Sequence, residues 1–226
     1  MRYNMFNQIH KGLRAWMYDT ATLISQTDFD HPQQAETIAE TLYQLLDMFD
    51  KHAHHEDTMV LPLIEEYEPA VANSFEQEHV TDHALVQRLK GFLMALAHAV
   101  SSDAKNDLGR SLHTAFIEFM IFNLQHMKKE ETVLNNLLWK YYDDKELMAI
   151  SGKIVASIPA TEAAIANRWM MRGLSNNEIG SWLRNVERNA PNHIVRPLFE
   201  LAERELGEKR FRLVLEGLME GIMIAS

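Results

Sequence analysis

The stretch DKHAHHEDTMVLP, residues 50–62, sets three histidines within four positions and follows them at once with Glu56 and Asp57. Histidine has no intrinsic advantage inside a helix, so such a concentration needs another reason. Spacing supplies it. His52 and Glu56 form an H-x-x-x-E pair, and so do His126 and Glu130 in QHMKKEE, residues 125–131. Positions four apart on an α-helix differ by about 40° around the axis, so each pair points to one side. Measured from His52, His54 is turned away by about 200° and His55 by about 300°, onto the flank of the same side.

Two further histidines turn the pairs into a repeat. His10 precedes His52 by 42 residues and His83 precedes His126 by 43. The unit "His, then His-x-x-x-Glu on the next helix" therefore occurs twice, offset by 73 residues for its first member and 74 for the others. The flanks agree, since HEDTMVLPLIEEY (55–67) lies over KEETVLNNLLWKY (129–141), with Thr58 on Thr132, Leu63 on Leu137 and Tyr67 on Tyr141. An internal repeat of this kind predicts two similar supersecondary units.

Apolar residues recur at helical steps through most of the chain: Ile9, Leu13, Trp16, Met17 and Leu23, then from about Gln34 to Glu66, from about Asn73 to Val100, and from about Leu108 to Tyr142. No convincing alternating strand intervenes. The pattern predicts an all-α protein: an antiparallel four-helix bundle of two repeated helical hairpins over residues 1–144, with an all-helical extension over 145–226 packed on it. In the extension, Ser157 before Pro159 and the SNNE of Ser175 to Glu178 read as helix starts. The segment NAPNHIV and Gly207 read as breaks.

Composition narrows the partners. The net charge is −10, with 11 Lys/Arg against 22 Asp/Glu in residues 1–144 and 11 against 10 in residues 145–226. An acidic first part argues against nucleic acid, which needs a basic face. In GLSNNEIGSWL (173–183) the start of a DNA-binding helix-turn-helix finds no recognition helix after it. The absence of cysteine excludes thiolate metal sites and disulfides and fits a reducing compartment. No apolar run approaches a membrane span or a signal-peptide core. A cytoplasmic location is the expectation.

Each hairpin offers two imidazoles and one carboxylate, a donor set that suits iron, manganese or zinc. A carboxylate from each half can bridge two metals where helices face one another. His79, four before His83 in EHVTDH (78–83), joins the set although the repeat does not predict it, because Phe6 stands 73 residues earlier. It would make the two metals unequal and leave an open position on the poorer one. The candidate ligands are His10, His52, Glu56, His79, His83, His126 and Glu130. His31, His98, His113 and His193 read as surface, turn or packing residues. Asp57 and Glu131 read as solvated groups or as acceptors for the outer N–H of an imidazole. Met48, Phe49, Phe116, Phe119, Met120 and Phe122 lie at core spacing.

From about residue 3 to 142 this succession of His, HxxxE, HxxxH and HxxxE resembles the hemerythrin-like, or HHE cation-binding, proteins. The resemblance implies a non-haem centre of two iron ions, with the five histidines as terminal ligands and Glu56 and Glu130 as bridges. It implies binding of a small diatomic ligand, dioxygen or nitric oxide, for sensing, storage or scavenging. Residues 145–226 would then dock a protein partner. His126-x-x-x-Glu130 stands where oxygen-carrying hemerythrins have His-x-x-x-x-Asp, which is closer to the bacterial HHE branch that includes iron–sulfur-cluster repair proteins. The alternatives are a di-iron oxidase or peroxidase, an iron donor in cluster repair, and a helical interaction protein with a purely structural metal.

Overall fold

Buried residues on the long helices recur at alternating steps of three and four. In the computed structural model, which describes residues 2–224 and the side chains of residues 2–219, α1 (Asn7–Gln26) and its cap bury Phe6, His10, Leu13, Met17, Thr20 and Ile24. Helix α2 (Pro32–His55) buries Ile38, Leu42, Leu45, Leu46 and Phe49. Helix α4 (Pro69–His98) buries Ala72, Phe75, His79, Asp82, Val86, Leu89 and Leu93. Helix α5 (Ser102–Lys129) buries Gly109, Leu112, Phe116, Phe119, Asn123 and His126 along the same kind of line. The three–four alternation is the seam of side chains that interdigitate between helices crossing at shallow angles. Helix α4 lies along α5 and also meets α2.

After α2 and after α5 the backbone widens for one turn. Glu56–Val60 and Glu130–Leu134 are π-helical, and each is followed by a short α-helix, α3 (Leu61–Glu65) and α6 (Asn135–Tyr141). The two uninterrupted helices expected up to Glu66 and Tyr142 are therefore each broken at the carboxylate of an HxxxE pair. Thr58 Oγ1 donates to His54 O at 2.7 Å and Thr132 Oγ1 to Lys128 O at 2.8 Å, the back-bonding that bends helices. The repeat-equivalent Tyr67 and Tyr141 stack on each other, ring centroids 4.0 Å apart. Equivalent residues meeting each other is what two halves related by an approximate two-fold produce.

Helix starts follow local chemistry. Pro32 and Pro69 stand at the first positions of α2 and α4, where a missing N–H costs nothing. Helix α5 begins at Ser102, ahead of the expected Leu108, because Ser101 Oγ accepts the amide of Ala104 at 3.2 Å. Such a cap contributes about 1 kcal/mol, and it draws SDAKND into the helix rather than leaving it as a turn. Gly109 lies on α5 where a Cβ would fall 2.2 Å from the ring of Phe29. Glycine there is what lets Phe29, 6% exposed, seat on the helix.

Two compact units divide the chain: Met1–Asn7 with Trp16–Ile158, and Gln8–Ala15 with Pro159–Ser226. Helix α7 (Asp144–Ser157) belongs to the first. It is started by a capping box of Asp143 and Glu146, and its fully buried Leu147 clusters with Phe6, Val60, Leu61, Ile64, Phe75, Leu134 and Leu138. The second unit holds α8 (Ala160–Gly173), α9 (Asn176–Asn189) and α10 (Asn192–Ile224) around Met171, Leu174, Ile179, Leu183, Leu198 and Ala202. The Ser175–Glu178 capping box opens α9, and α10 bends at Gly207, whose φ of 67° favours glycine. Among the described residues there is no strand, and no helix is long and apolar enough to cross a membrane.

Candidate metal centre

Donor atoms of Glu56, His79, His126 and Glu130 all lie within 4.8 Å of one another, and all four residues are buried. A second set, His10, His52, Glu56 and Glu130, meets the same limit. His10 comes from α1. The two sets share both carboxylates. Glu56 shows the sharing directly: Oε1 stands 3.3 Å from His52 Nε2 and Oε2 stands 3.5 Å from His79 Nε2. Glu130 Oε1 lies 3.0 Å from His126 Nε2 and 3.9 Å from His79 Nε2.

The outer nitrogens of two imidazoles are held by carboxylates. His79 Nδ1 is 2.6 Å from Asp57 Oδ1, and His126 Nδ1 is 2.8 Å from Glu78 Oε2. An ionised carboxylate only accepts, so each Nδ1 carries the proton and donates it. Each Nε2 then turns a lone pair inward in the neutral imidazole, and the two Nε2 atoms face each other at 3.0 Å. Lone pairs at that distance, beside carboxylates 3% and 0% exposed, require positive charge among them. Without metal a proton supplies it. Burial alone would lower the pKa of His79, but its bonds to Glu130, Glu56 and Asp57 and the charge of Glu56 hold it up at about 11. His126 is raised in the same way, burial being outweighed by Glu130, Glu78 and Glu56. Burial likewise opposes Glu78, and His126 and Lys129 pull it below the ordinary carboxylate range. A divalent cation satisfies the same electrostatic demand, so the donor set fits a metal pair.

His83 is not brought to the cluster. Its side chain is 61% exposed, and its Nδ1 meets Asp50 Oδ1 at 3.2 Å. The reason is the seam: α4 buries His79, Asp82 and Val86 at steps of three and four, which leaves residue 83 about 100° beyond Asp82. His10, His52, Glu56, His79, His126 and Glu130 are brought together. His54 is exposed, as its angle from His52 predicts. Glu78 and the Asp82–Asn123 pair escaped sequence reasoning. The signal that could have found Asp82 and Asn123 is a polar residue on an otherwise apolar seam. Burial pushes the Asp82 carboxyl up, while Asn123, His126 and His79 oppose the rise and Asp50 adds to it.

The fold and this donor layout define a helical cation-binding protein of the histidine–carboxylate kind. The family model described as the hemerythrin HHE cation binding domain matches residues 1–138, and the chain belongs to that family. Among curated proteins it is similar to F-box/LRR-repeat protein 5 of Mus musculus, Bos taurus and Pongo abelii, each 23% identical over 133 residues. That stretch is 59% of this chain but 19% of the mouse protein and 18% of the other two, so the chain spans under a fifth of the relatives it matches. No solved structure matches it.

Proposed function

We propose that the chain is a non-haem di-iron protein in which α1, α2, α4 and α5 form an antiparallel four-helix bundle of two repeated hairpins. In this reading it binds a small diatomic ligand, dioxygen or nitric oxide, for sensing, storage or scavenging in the cytoplasm. The observation that carries the reading is the pair of four-donor groups sharing Glu56 and Glu130. His10 and His52 would hold one metal, His79 and His126 the other, and the two glutamates both. When bound, iron supplies the affinity for diatomic ligands that the amino acids lack.

The chain's own residues set the terms. Asp57 and Glu78 fix the tautomers of His79 and His126, so that Nε2 and not Nδ1 is offered to the centre. The two glutamates offset part of the charge of two divalent ions. Phe6, Val60, Leu61, Phe75 and Leu134 form a dry wall that excludes water. Residues 145–226, where no member of either donor group falls, are the natural place for a protein partner to dock.

Metal analysis of protein purified from its native host tests this, with about two irons per chain expected. A His52→Ala, His126→Ala variant should lose most of them. Fewer than about one metal per chain, or no loss in the variant, would sink the dinuclear reading; zinc or manganese at full stoichiometry would keep the centre and remove the diatomic ligand.

A further inference from the structure

The seams of α4 and α5 are apolar except at the donors and at one further level. Asp82 and Asn123, 4% and 2% exposed, occupy seam positions, and Asn123 Nδ2 donates to Asp82 Oδ1 at 2.6 Å. Asp82 lies three residues after His79 and Asn123 three before His126, so the pair forms the next layer beside the two facing imidazoles. The layers on either side of this zone are apolar. Phe75 meets His126 edge-on at 5.9 Å and belongs to the wall with Phe6, Val60 and Leu134. Beyond the pair, Phe49 and Phe119 pack edge to face at 5.1 Å.

A purely structural role explains this pair poorly. A buried polar couple contributes little net stability against apolar residues of similar size, and leaving either member alone is costly. Asn123 Nδ2 spends its two hydrogens on Asp82 and on Phe119 O, the latter at 3.2 Å. Its amide is thereby fixed in orientation, and it holds Asp82 in place from one side.

We propose that Asp82, held by Asn123, is the hydrogen-bonding partner for the outer atom of a small exogenous ligand at the centre. It donates as the neutral acid, with the proton on Oδ2 while Oδ1 accepts from Asn123 Nδ2, and is a positioning residue that favours ligands able to accept a hydrogen bond. The inference rests on the dinuclear reading above and assigns a ligand contact to the polar layer that lies between the imidazoles and the apolar Phe49–Phe119 layer.

The test uses the full chain loaded with ferric iron, and azide as the probe. Iron content is measured first: wild-type protein without iron removes the dinuclear reading and this inference with it. With iron in place, wild-type protein is expected to bind azide and to show a shift in the bound azide vibration on transfer to D2O. Absence of either overturns the pair's role while leaving the metal centre standing. In an Asp82→Leu, Asn123→Leu variant with normal iron, affinity should fall roughly tenfold and the D2O shift should vanish; unchanged affinity and shift overturn the proposal. Asp82→Asn keeps the shape and a donor, so it should recover most of the affinity with an altered vibrational frequency. That variant decides the matter if the double variant fails to fold: a frequency and shift identical to wild type overturn the assignment.

Discussion

The two halves of the repeat place the same residues with the same backbone and surround them differently. His52–Glu56 and His126–Glu130 each end an α-helix and open a π-helical turn, and each is followed by a threonine bonded back to the turn before. Yet His126 is clamped through Nδ1 by Glu78, which Lys129 also grips, and its side chain is 6% exposed against 14% for His52. The repeat delivers the donors; residues outside it tune them. The two His-x-x-x-Glu pairs thus keep one spacing in unequal surroundings.

That comparison can be broken most severely at the shared carboxylates. Glu56→Gln and Glu130→Gln should each reduce the occupancy of both metals, because each residue serves both donor groups. Metal analysis that finds one variant losing a single metal cleanly would divide the halves more sharply than the geometry does. Next comes Glu78→Gln. Loss of such an outer partner costs roughly 10–100-fold in metal affinity, and competition with a chelator should show that loss in the first metal removed. Asp57→Asn should act similarly through His79.

The gentlest test is pH applied to the metal-free protein. His79 has its pKa held up at about 11, against an ordinary 6.5, so the folded state binds that proton more tightly than the unfolded chain. Its contribution to stability is complete below about pH 6.5 and is lost as pH rises towards 11. Denaturant melts at pH 6, 8 and 10 should show midpoints falling with pH; a flat series would mean that the proton is not held between the imidazoles and carboxylates. Metal uptake at neutral pH should release protons for the same reason.

Much of the site was legible because donor spacing and helical period reinforce each other. His52, Glu56, His126 and Glu130 are readable from the period of the helix and the repeat offset alone. His79 and His83 were not separable, since an i, i+4 pair satisfies the helical period equally well. What separates them is the three–four seam of α4, set by Phe75, Val86 and Leu89 against neighbouring helices. The same seam hides Asp82 from a search keyed to histidine. The π-helical turns were invisible for a different reason: widening one turn leaves the residue types around it ordinary. The early start of α5 turned on a single hydroxyl, that of Ser101. Leu147 draws α7 into the first unit by packing that composition cannot register.

The π-helical turns also bear on chain length. An i→i+5 turn holds one residue more than an α-helical turn covering the same part of the ladder. Past each carboxylate the buried positions match between the halves: Glu56, Val60, Leu61 and Ile64 in one, Glu130, Leu134, Asn135 and Leu138 in the other. Excising one residue from either turn would let the hydrogen-bond ladder close as regular α-helix. Because the wider turn absorbs the extra residue, everything beyond the cut would keep nearly its direction relative to the donors before it. Each glutamate thus sits beside a surplus residue, and shortening the chain there would tighten the turn that carries the carboxylate while leaving the core beyond it in register.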